Sequence, residues 1–499
     1  MTGFSDIALG TRPAGRWALT AQWLIADTPS GRHLVPSGEV VIEGDTIIHA
    51  GPRFKGEVAA RYDMGASLIA PGFVDLDALS DLDTTLLAFD NWPGEKKGRV
   101  WPRSYVERGP YEMYTPEELA FQKRFAFAQL LLNGITSAAP IASLFYREWG
   151  ETTAEFDAAA QAANELGLRV WLGPAYRSGG MVVEADGRMV AEFDEARGLN
   201  GLEEAIAFAG RWQGDGLVSP MLAPDRVETC TEALLRRTLQ AADELDCPVR
   251  LHMAQGRMER DTVQALHGKS APAWLGDMGL LNARLLAPHA TVADEADLQR
   301  YADNGVTVVH CPLVNARHGG ALRSFRQLRE MGIRIAMGTD TAPPDMVLNM
   351  AVGMMACRVV EADIAACTSS DFFDAATKNG AEALGRSDIG VLRAGAKADL
   401  AVFDLSDPAL APCIDPVQTL ILGATGRVTR ATIVDGRLSM RDGAVAGIDM
   451  KSARIRAQAQ FDGLIAKYPE RTAGHPGVAE IFPPAYPLMA GATPSRSVS

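Results

Sequence analysis

Side chains that can transfer protons or bind a metal ion stand at the ends of several short apolar segments of this chain. They are Asp75, Asp77, Asp225, His252, His289, His310 and Asp340, with Gln255 beside them. A lone histidine in an apolar strand is more often a core residue than a ligand. Three histidines and several aspartates in the same position relative to apolar segments favour a site instead, because burying such groups without a purpose is costly. Their chemistry would be acid–base catalysis or metal binding.

The elements that would position these residues alternate between strands and amphipathic helices. Thr115 and Pro116 open one helix as N-cap and first residue, and Asn133 with Gly134 ends it; Asp294 to Asn304 repeats the pattern and stops at Gly305. Eight such units predict a (β/α)₈ barrel, with a doubly wound sheet as the weaker alternative. The predicted strands end near Asp77, Pro140, Ala175, Ala223, Ala254, His289, Cys311 and Gly338.

Segments near the two ends of the chain have a different sequence pattern, in which short, strand-length apolar runs lie between Gly and Asp residues. Residues 17–63 predict antiparallel hairpins, and residues 398–404 and 430–436 have the same character. Both could pair into one small sheet domain. We therefore predict a sheet domain from residues 1–67 and 391–450, a barrel over residues 68–390 and a C-terminal extension over residues 451–499.

The bulk composition limits the partners. The chain has 499 residues and a net charge of −14, which argues against nucleic acid or an anionic membrane as a partner. Its six cysteines form no C-x-x-C pair, which favours a reducing compartment. The first residues lack the apolar core of a signal peptide, and no apolar stretch is long enough to span a bilayer. We predict a cytoplasmic protein that acts on a small molecule.

Seven short motifs occur in a characteristic order over roughly residues 17 to 450. They are Pro71-Gly72-Phe73-Val74-Asp75, Asn133-Gly134-Ile135-Thr136, His252-Met253-Ala254-Gln255, Val309-His310-Cys311-Pro312 with Asn315 and Gly319, Gly338-Thr339-Asp340-Thr341, Ala376-Thr377-Lys378-Asn379-Gly380-Ala381 and Gly395-Ala396-Lys397-Ala398-Asp399-Leu400. Each is weak alone, but together they are specific. The chain resembles the amidohydrolase superfamily, in the branch of triazine chlorohydrolases, cytosine and guanine deaminases and adenosylhomocysteine-type deaminases.

The resemblance implies a role for each matching residue. His252 corresponds to the metal ligand on strand five, and His289 to the strand-six histidine that polarises the substrate or the water. Asp340 corresponds to the strand-eight aspartate that is both ligand and general base. Gln255 stands where many relatives have a proton-shuttling glutamate; an amide cannot do that, although it can orient a substrate. The resemblance also implies a homodimer.

Strand one departs from the family pattern. Relatives have His-x-His there, whereas this chain has Asp77 and Leu79. One alternative is a divalent zinc or iron ion held by Asp77, His252, Asp340 and His289, since a carboxylate is a legitimate ligand. The other, which we favour, is that no metal is tightly bound, because losing an imidazole weakens such a site. The nearby Asp81 and Asp83 are expected to be solvated loop residues.

Without a metal, the same four side chains still form an acid–base set. Asp340 could activate water and His289 could stabilise a developing oxyanion, with Asp77 and His252 beside them. Such a site could hydrolyse an activated amide, imine or cyclic ureide, and it could equally catalyse an elimination or isomerisation.

Substrate contacts are expected from Gln255, His310, Asp225, Asn315 and Trp92. Trp92 belongs to the segment 89–103, which mixes aromatic and basic residues. This segment is either a lid that stacks on a flat ring and attracts an anionic substituent, or a surface loop docked by its tryptophans.

The expected function is that of an amidohydrolase-type enzyme acting on a non-peptide C–N bond of a small, cyclic nitrogenous compound. The alternatives are a metal-free lyase or isomerase on the same fold, and a non-catalytic relative that binds a ligand.

Overall fold

The computed structural model describes residues 3–82, 100–141, 144–487 and 489. The strands of the described residues are β1 (Arg16–Thr20), β2 (Trp23–Thr28), β3 (Gly31–Pro36), β4 (Glu39–Glu43), β5 (Thr46–Gly51), β6 (Ala60–Asp63), β7 (Ser67–Pro71), β8 (Phe73–Ala78), β9 (Trp101–Pro102), β10 (Ile135–Pro140), β11 (Arg169–Leu172), β12 (Ala175–Tyr176), β13 (Gly179–Val183), β14 (Met189–Phe193), β15 (Val218–Pro220), β16 (Ala223–Pro224), β17 (Val249–Arg250), β18 (Leu285–Pro288), β19 (Thr307–His310), β20 (Ile335–Met337), β21 (Leu400–Asp404), β22 (Thr429–Val434), β23 (Arg437–Arg441) and β24 (Ala444–Val445).

The helices of the same ranges are α1 (Arg103–Arg108), α2 (Pro116–Leu132), α3 (Thr153–Leu166), α4 (Glu195–Trp212), α5 (Glu232–Leu245), α6 (Arg257–His267), α7 (Ala271–Asp277), α8 (Glu295–Asn304), α9 (Pro312–Arg317), α10 (Phe325–Glu330), α11 (Met346–Glu361), α12 (Ser369–Ala375), α13 (Lys378–Ala383), α14 (Pro416–Gly423), α15 (Met450–Arg471) and α16 (Val478–Ile481). Within the described ranges, no helix has the length and apolar character needed to cross a bilayer.

Eight parallel strand positions form the predicted barrel. Strands β8, β10, β11 and β15 pair side by side in one half, and β17, β18, β19 and β20 in the other. A bridge between Leu222 and Val249 joins the halves on one side. On the other side the Asp340 amide donates to the Asp77 carbonyl at 2.8 Å. The (β/α)₈ prediction is therefore confirmed.

The fifth strand of the barrel, β17, ends earlier than the predicted Ala254. Its ladder stops at Arg250, and His252 and Met253 continue it only as isolated bridges. Ala254 has φ = 54°, a left-handed conformation that removes a residue from a regular strand. The chain therefore turns away from the barrel just after His252, which leaves that side chain at the mouth.

A second unit contains strands from both ends of the chain, as predicted. Strand β7 pairs with β21 in antiparallel register and with β2 in parallel register, inside a seven-stranded sheet. The four-stranded sheet β5-β4-β1-β6 is also present. Apolar residues of the two sheets pack together in one buried core, which includes Trp17, Ile42, Ile69, Val402 and Ile433.

The helix ends follow their capping residues. The Thr115 hydroxyl accepts a hydrogen bond from the Glu118 amide at 3.3 Å at the start of α2. Asp294 caps α8 in the same way, and Gly305 ends it with φ = 69°. These caps fix where each helix starts on the outside of the barrel.

The C-terminal extension contains a long helix that the sequence interpretation did not predict. Helix α15 buries Phe461, Leu464 and Tyr468 in a cluster that also contains Leu119 of α2 and Tyr146. Helix α15 therefore packs against the barrel through α2 and Tyr146.

Candidate active site

Four of the predicted side chains converge at the carboxyl ends of the barrel strands. Asp77 is on strand one, His252 follows strand five, His289 follows strand six and Asp340 follows strand eight. Ligand atoms of the first three lie within 4.8 Å of one another. His289 Nε2 lies 3.6 Å from Asp340 Oδ2, and His252 Nε2 lies 3.6 Å from Asp77 Oδ2. All four are buried.

Two of these residues depart from ordinary strand geometry. His289 has φ = 80° and Asp340 has φ = 46°, in the left-handed region that non-glycine residues rarely occupy. Such conformations cost about 1–3 kcal/mol each and persist where surrounding contacts enforce them. Here they turn the side chains inward from the points where β18 and β20 end.

The hydrogen bonds of the two Nδ1 atoms determine which ring nitrogen of His252 and of His289 has the proton. His252 Nδ1 lies 3.0 Å from the Asp225 carbonyl oxygen, which only accepts, so Nδ1 has the proton. His289 Nδ1 donates to the Asn315 amide oxygen at 3.1 Å. With both protons held outside, the Nε2 lone pair of a neutral ring points toward the centre. In this tautomer His289 accepts rather than donates, so it would bind a cation or orient water and could not donate to an oxyanion.

Asp77 is held by contacts on both of its carboxylate oxygens. Oδ1 lies 3.6 Å from the Arg250 guanidinium. Oδ2 accepts from the Cys311 thiol at 3.6 Å and faces His252. The Asp77 amide donates to Asp75 Oδ1 at 3.2 Å. The carboxylate is therefore oriented toward the same space as the histidines.

Burial shifts the protonation equilibria at this end of the barrel. Desolvation lowers the pKa of His289 to about 3, so its ring is neutral at physiological pH. Burial raises the pKa of Asp75 to about 7, although that carboxyl accepts from the Thr339 hydroxyl at 2.6 Å. Burial also acts to raise the pKa of Asp77, but His252 and Arg250 outweigh it and the pKa stays below its ordinary value.

The donor set is compatible with a divalent metal ion. Two imidazole Nε2 atoms and two carboxylates of Asp77 and Asp340 face one another, which suits zinc or iron. Asp77 Oδ1 and His289 Nε2 have no hydrogen-bond partner among the described residues, as expected of atoms that await a ligand. Leu79 is fully buried in the apolar core and contributes no donor.

Two of the predicted substrate contacts hold a histidine of the centre, and a third, Gln255, follows His252 by three positions. Asn315 is buried and holds His289 through the hydrogen bond described above. The Gln255 amide oxygen accepts from the Arg226 guanidinium. Asp225 holds His252 through its carbonyl, and its carboxylate accepts from Thr229 at 3.4 Å. Asn315 and Asp225 therefore contact histidines of the centre, whereas the Gln255 side chain contacts Arg226.

A fourth predicted contact, His310, is not part of this arrangement. His310 lies on the outer face of its strand, with ring centroids 6.2 Å from Phe325 and 6.1 Å from Phe372. Successive side chains of a strand alternate between faces, so Cys311, and not His310, faces the barrel interior near Asp77. Trp92 and Asp83 fall outside the described residues. Asp81, which was expected to be solvated, is instead buried.

Sequence reasoning missed two arginines. Arg250 precedes His252 by two positions, so the period of a strand could have placed both on one face. Arg177 follows β12 at the carboxyl end of strand three, with its guanidinium 4.8 Å from the Trp101 ring centre and 5.4 Å from that of Trp149. It is buried, and its Nε and one terminal nitrogen have no partner among the described residues.

Comparison with known proteins gives one family and a consistent set of relatives. Residues 68–439 match the sequence profile of the Amidohydrolase family. A 5'-deoxyadenosine deaminase of Methanosarcina mazei is 25% identical over 439 residues, covering 87% of this chain and 95% of that protein. A 5-methylthioadenosine/S-adenosylhomocysteine deaminase of Nitratidesulfovibrio vulgaris is 28% identical over 437 residues, covering 86% and 92%.

Solved structures with the same fold include two zinc-bound hydrolases. An adenosine deaminase from Xanthomonas campestris with bound zinc superposes with a TM-score of 0.74 at 22% identity, covering 91% of this chain and 99% of that one. An atrazine chlorohydrolase from Arthrobacter aurescens TC1 complexed with zinc gives a TM-score of 0.72 at 19% identity, covering 89% and 99%. At these identities the structural likeness establishes the fold.

Proposed function

Since the chain belongs to the amidohydrolase family and is an enzyme of the amidohydrolase type, we propose that it hydrolyses a non-peptide C–N bond of a small, cyclic nitrogenous compound at an altered metal site. The supporting observation is the convergence of Asp77, His252, His289 and Asp340 at the carboxyl end of the barrel. The relatives named above are deaminases of adenosine derivatives, which supports an amino-substituted heterocycle as the substrate.

Each residue of the centre has a role that its contacts support. A divalent ion, when bound by Asp77, His252, His289 and Asp340, would supply an activated water. The Asp340 carboxylate accepts the proton of the attacking water as general base. With no ion bound, Nε2 of the neutral His289 ring would be available to orient that water. The Gln255 amide cannot act as a general acid. The leaving nitrogen therefore takes its proton from Asp340, after Asp340 has accepted one from water.

Arg177 supports a substrate with an anionic group. Its guanidinium is buried between two tryptophan rings at the barrel mouth, and part of its hydrogen-bonding capacity is unused among the described residues. A carboxylate would satisfy those donors, since guanidinium groups pair with carboxylates through two parallel hydrogen bonds. The tryptophan rings would exclude water from that contact.

A substrate panel tests the proposal. The purified protein, with and without one added equivalent of zinc or iron(II), is incubated with 5'-deoxyadenosine, 5'-methylthioadenosine, S-adenosylhomocysteine, guanine and atrazine, and released ammonia or chloride is measured. We expect ammonia from an amino-substituted heterocycle, with preference for one that has a carboxylate. Conversion of a substrate without release of ammonia or chloride would favour the lyase or isomerase alternative, and binding without turnover would favour the non-catalytic one.

The cytoplasmic location and the homodimer stay predictions. Light scattering of the purified chain measures its mass in solution, and twice the monomer mass of 53.4 kDa is the expected result.

A further inference from the structure

Arg250 places a permanent positive charge beneath the candidate active site. The residue is almost completely buried, with 3% relative exposure. It leaves strand five on the face that His252 occupies and reaches across the barrel to the Pro140 carbonyl at the end of strand two, to which it donates a hydrogen bond. The guanidinium therefore connects strands on both sides of the centre.

The same guanidinium contacts Asp77, the residue that stands in the position of the first family histidine. Arg250 Nη1 lies 3.6 Å from Asp77 Oδ1, an atom with no hydrogen-bond partner among the described residues. The other carboxylate oxygen faces His252 Nε2 at 3.6 Å. Asp77 is thus shared between a fixed cation and the metal-binding space.

The contact between the Arg250 guanidinium and the Asp77 carboxylate opposes the binding of a divalent ion in the centre. Asp77 and Asp340 supply the carboxylates of the centre, and the Arg250 guanidinium lies beside one of them, Asp77. A metal ion in the centre must then share Asp77 with a guanidinium and lie near a like charge in a water-poor interior, where electrostatic interactions are strong. A guanidinium cannot lose its proton to relieve the repulsion.

We infer that Arg250 is a positioning residue that fixes the Asp77 carboxylate from below and lowers the affinity of the centre for a divalent metal. Nothing in the family resemblance assigns a role to this position. The inference rests on the proposed function only in locating the metal at the same centre. It predicts a site that loads and releases its ion reversibly.

Metal titration of the full-length protein tests the inference. The chain is stripped with chelator, refilled with Co²⁺ and followed by visible absorption; zinc affinity is then measured by competition with a chromophoric chelator. The variants are Arg250→Gln, which removes the charge, and Arg250→Lys, which keeps it. Arg260→Gln, which removes an exposed charge from α6, is the matched control.

We expect Arg250→Gln to bind Co²⁺ and Zn²⁺ at least about tenfold more tightly than wild type. Arg250→Lys and Arg260→Gln should stay within about threefold of wild type. A folded Arg250→Gln protein with unchanged or weaker affinity overturns the inference. If that variant does not fold, Arg250→Met, which also removes the charge, is measured in its place and judged by the same results. Retention of a full metal equivalent by wild type during dialysis against excess chelator also overturns the inference.

The result is separable from the proposed function because metal binding is measured without substrate. Tighter binding by Arg250→Gln with no turnover on any panel compound would reject the function and retain the role of Arg250. Turnover of a panel compound, with the same metal affinity in all variants, would retain the proposed function and reject the role of Arg250.

Discussion

At the scale of single residues, hydrogen bonds on the outer ring nitrogens orient the histidines of the centre. Asn315 and the Asp225 carbonyl each accept from an Nδ1 and leave Nε2 pointing inward. The partners of a ligating histidine typically change metal affinity or activity 10- to 100-fold when they are mutated. These contacts are therefore as much a part of the site as the rings themselves.

Asn315 gives a direct test of that orientation. Asn315→Leu removes the acceptor, so the His289 proton can move to Nε2 and the lone pair that faces the centre is lost. We expect kcat to fall about 10- to 100-fold with little change in KM. Asn315→Asp keeps an acceptor and should retain most of the activity. Equal losses in the two variants would contradict the positioning role.

His310 gives a test that is independent of catalysis. Burial lowers its pKa from 6.5 to about 4, so between those values the unfolded chain takes up a proton that the folded chain does not. The free energy of unfolding therefore falls as pH drops through this window. His310→Leu should reduce the stability lost between pH 7 and pH 4.5 by about 2–3 kcal/mol, measured by urea unfolding.

The matched control for His310 is His33→Leu on the exposed strand β3. That change should leave the dependence of stability on pH as it is in wild type. If His310→Leu also leaves it unchanged, the imidazole of His310 is solvated and its assignment to the buried outer face is wrong.

At the scale of elements, strand periodicity explains both what the sequence could predict and what it could not. Side chains at strand ends meet at one end of the barrel, and this rule predicted that Asp77, His252, His289 and Asp340 would converge. It misplaced His310, because the side chain of the next residue, Cys311, faces the barrel interior and that of His310 faces outward. The ends of strands are the least regular positions, and the face of a terminal residue depends on where the chain turns.

Helix α15 was missed although its signal is present in the sequence. Asp449 caps it, and Ala453, Ala457, Phe461 and Leu464 recur at helical spacing. The Pro and Arg content of the segment concealed a short apolar stripe. Its partners on α2 and in the loops after the first two strands could not be inferred from local pattern, because they are distant along the chain.

The packing of α15 predicts that the C-terminal extension stabilises the whole fold. Leu464 is 1% exposed, and Leu464→Ala should lower the free energy of unfolding by about 2–5 kcal/mol in urea titration. Ile455→Ala on the same helix, where the side chain is 40% exposed, should cost less than about 1 kcal/mol. Similar small losses for both would mean that the helix is only loosely attached.

At the scale of the whole molecule, the family motifs predicted the architecture. Motifs spread from strand one to the return into the sheet domain, so their order predicted both units. A buried ion pair connects the two units: Arg169 on strand three contacts Asp399 at 2.7 Å, beside the start of β21. The electrostatic balance of the centre, in contrast, depends on Arg250, whose reach across the barrel only the three-dimensional structure reveals.

The central claim is that the four converging side chains form a catalytic centre rather than a structural network. The direct measurement compares turnover and melting temperature of Asp340→Ala with wild type, on the compound that the panel identifies, with the exposed Asp261→Ala as control. We predict a loss of turnover of at least about 100-fold with a melting temperature within about 2 °C. Retained turnover, or a large drop in melting temperature in a protein without detectable activity on any substrate, would contradict the account.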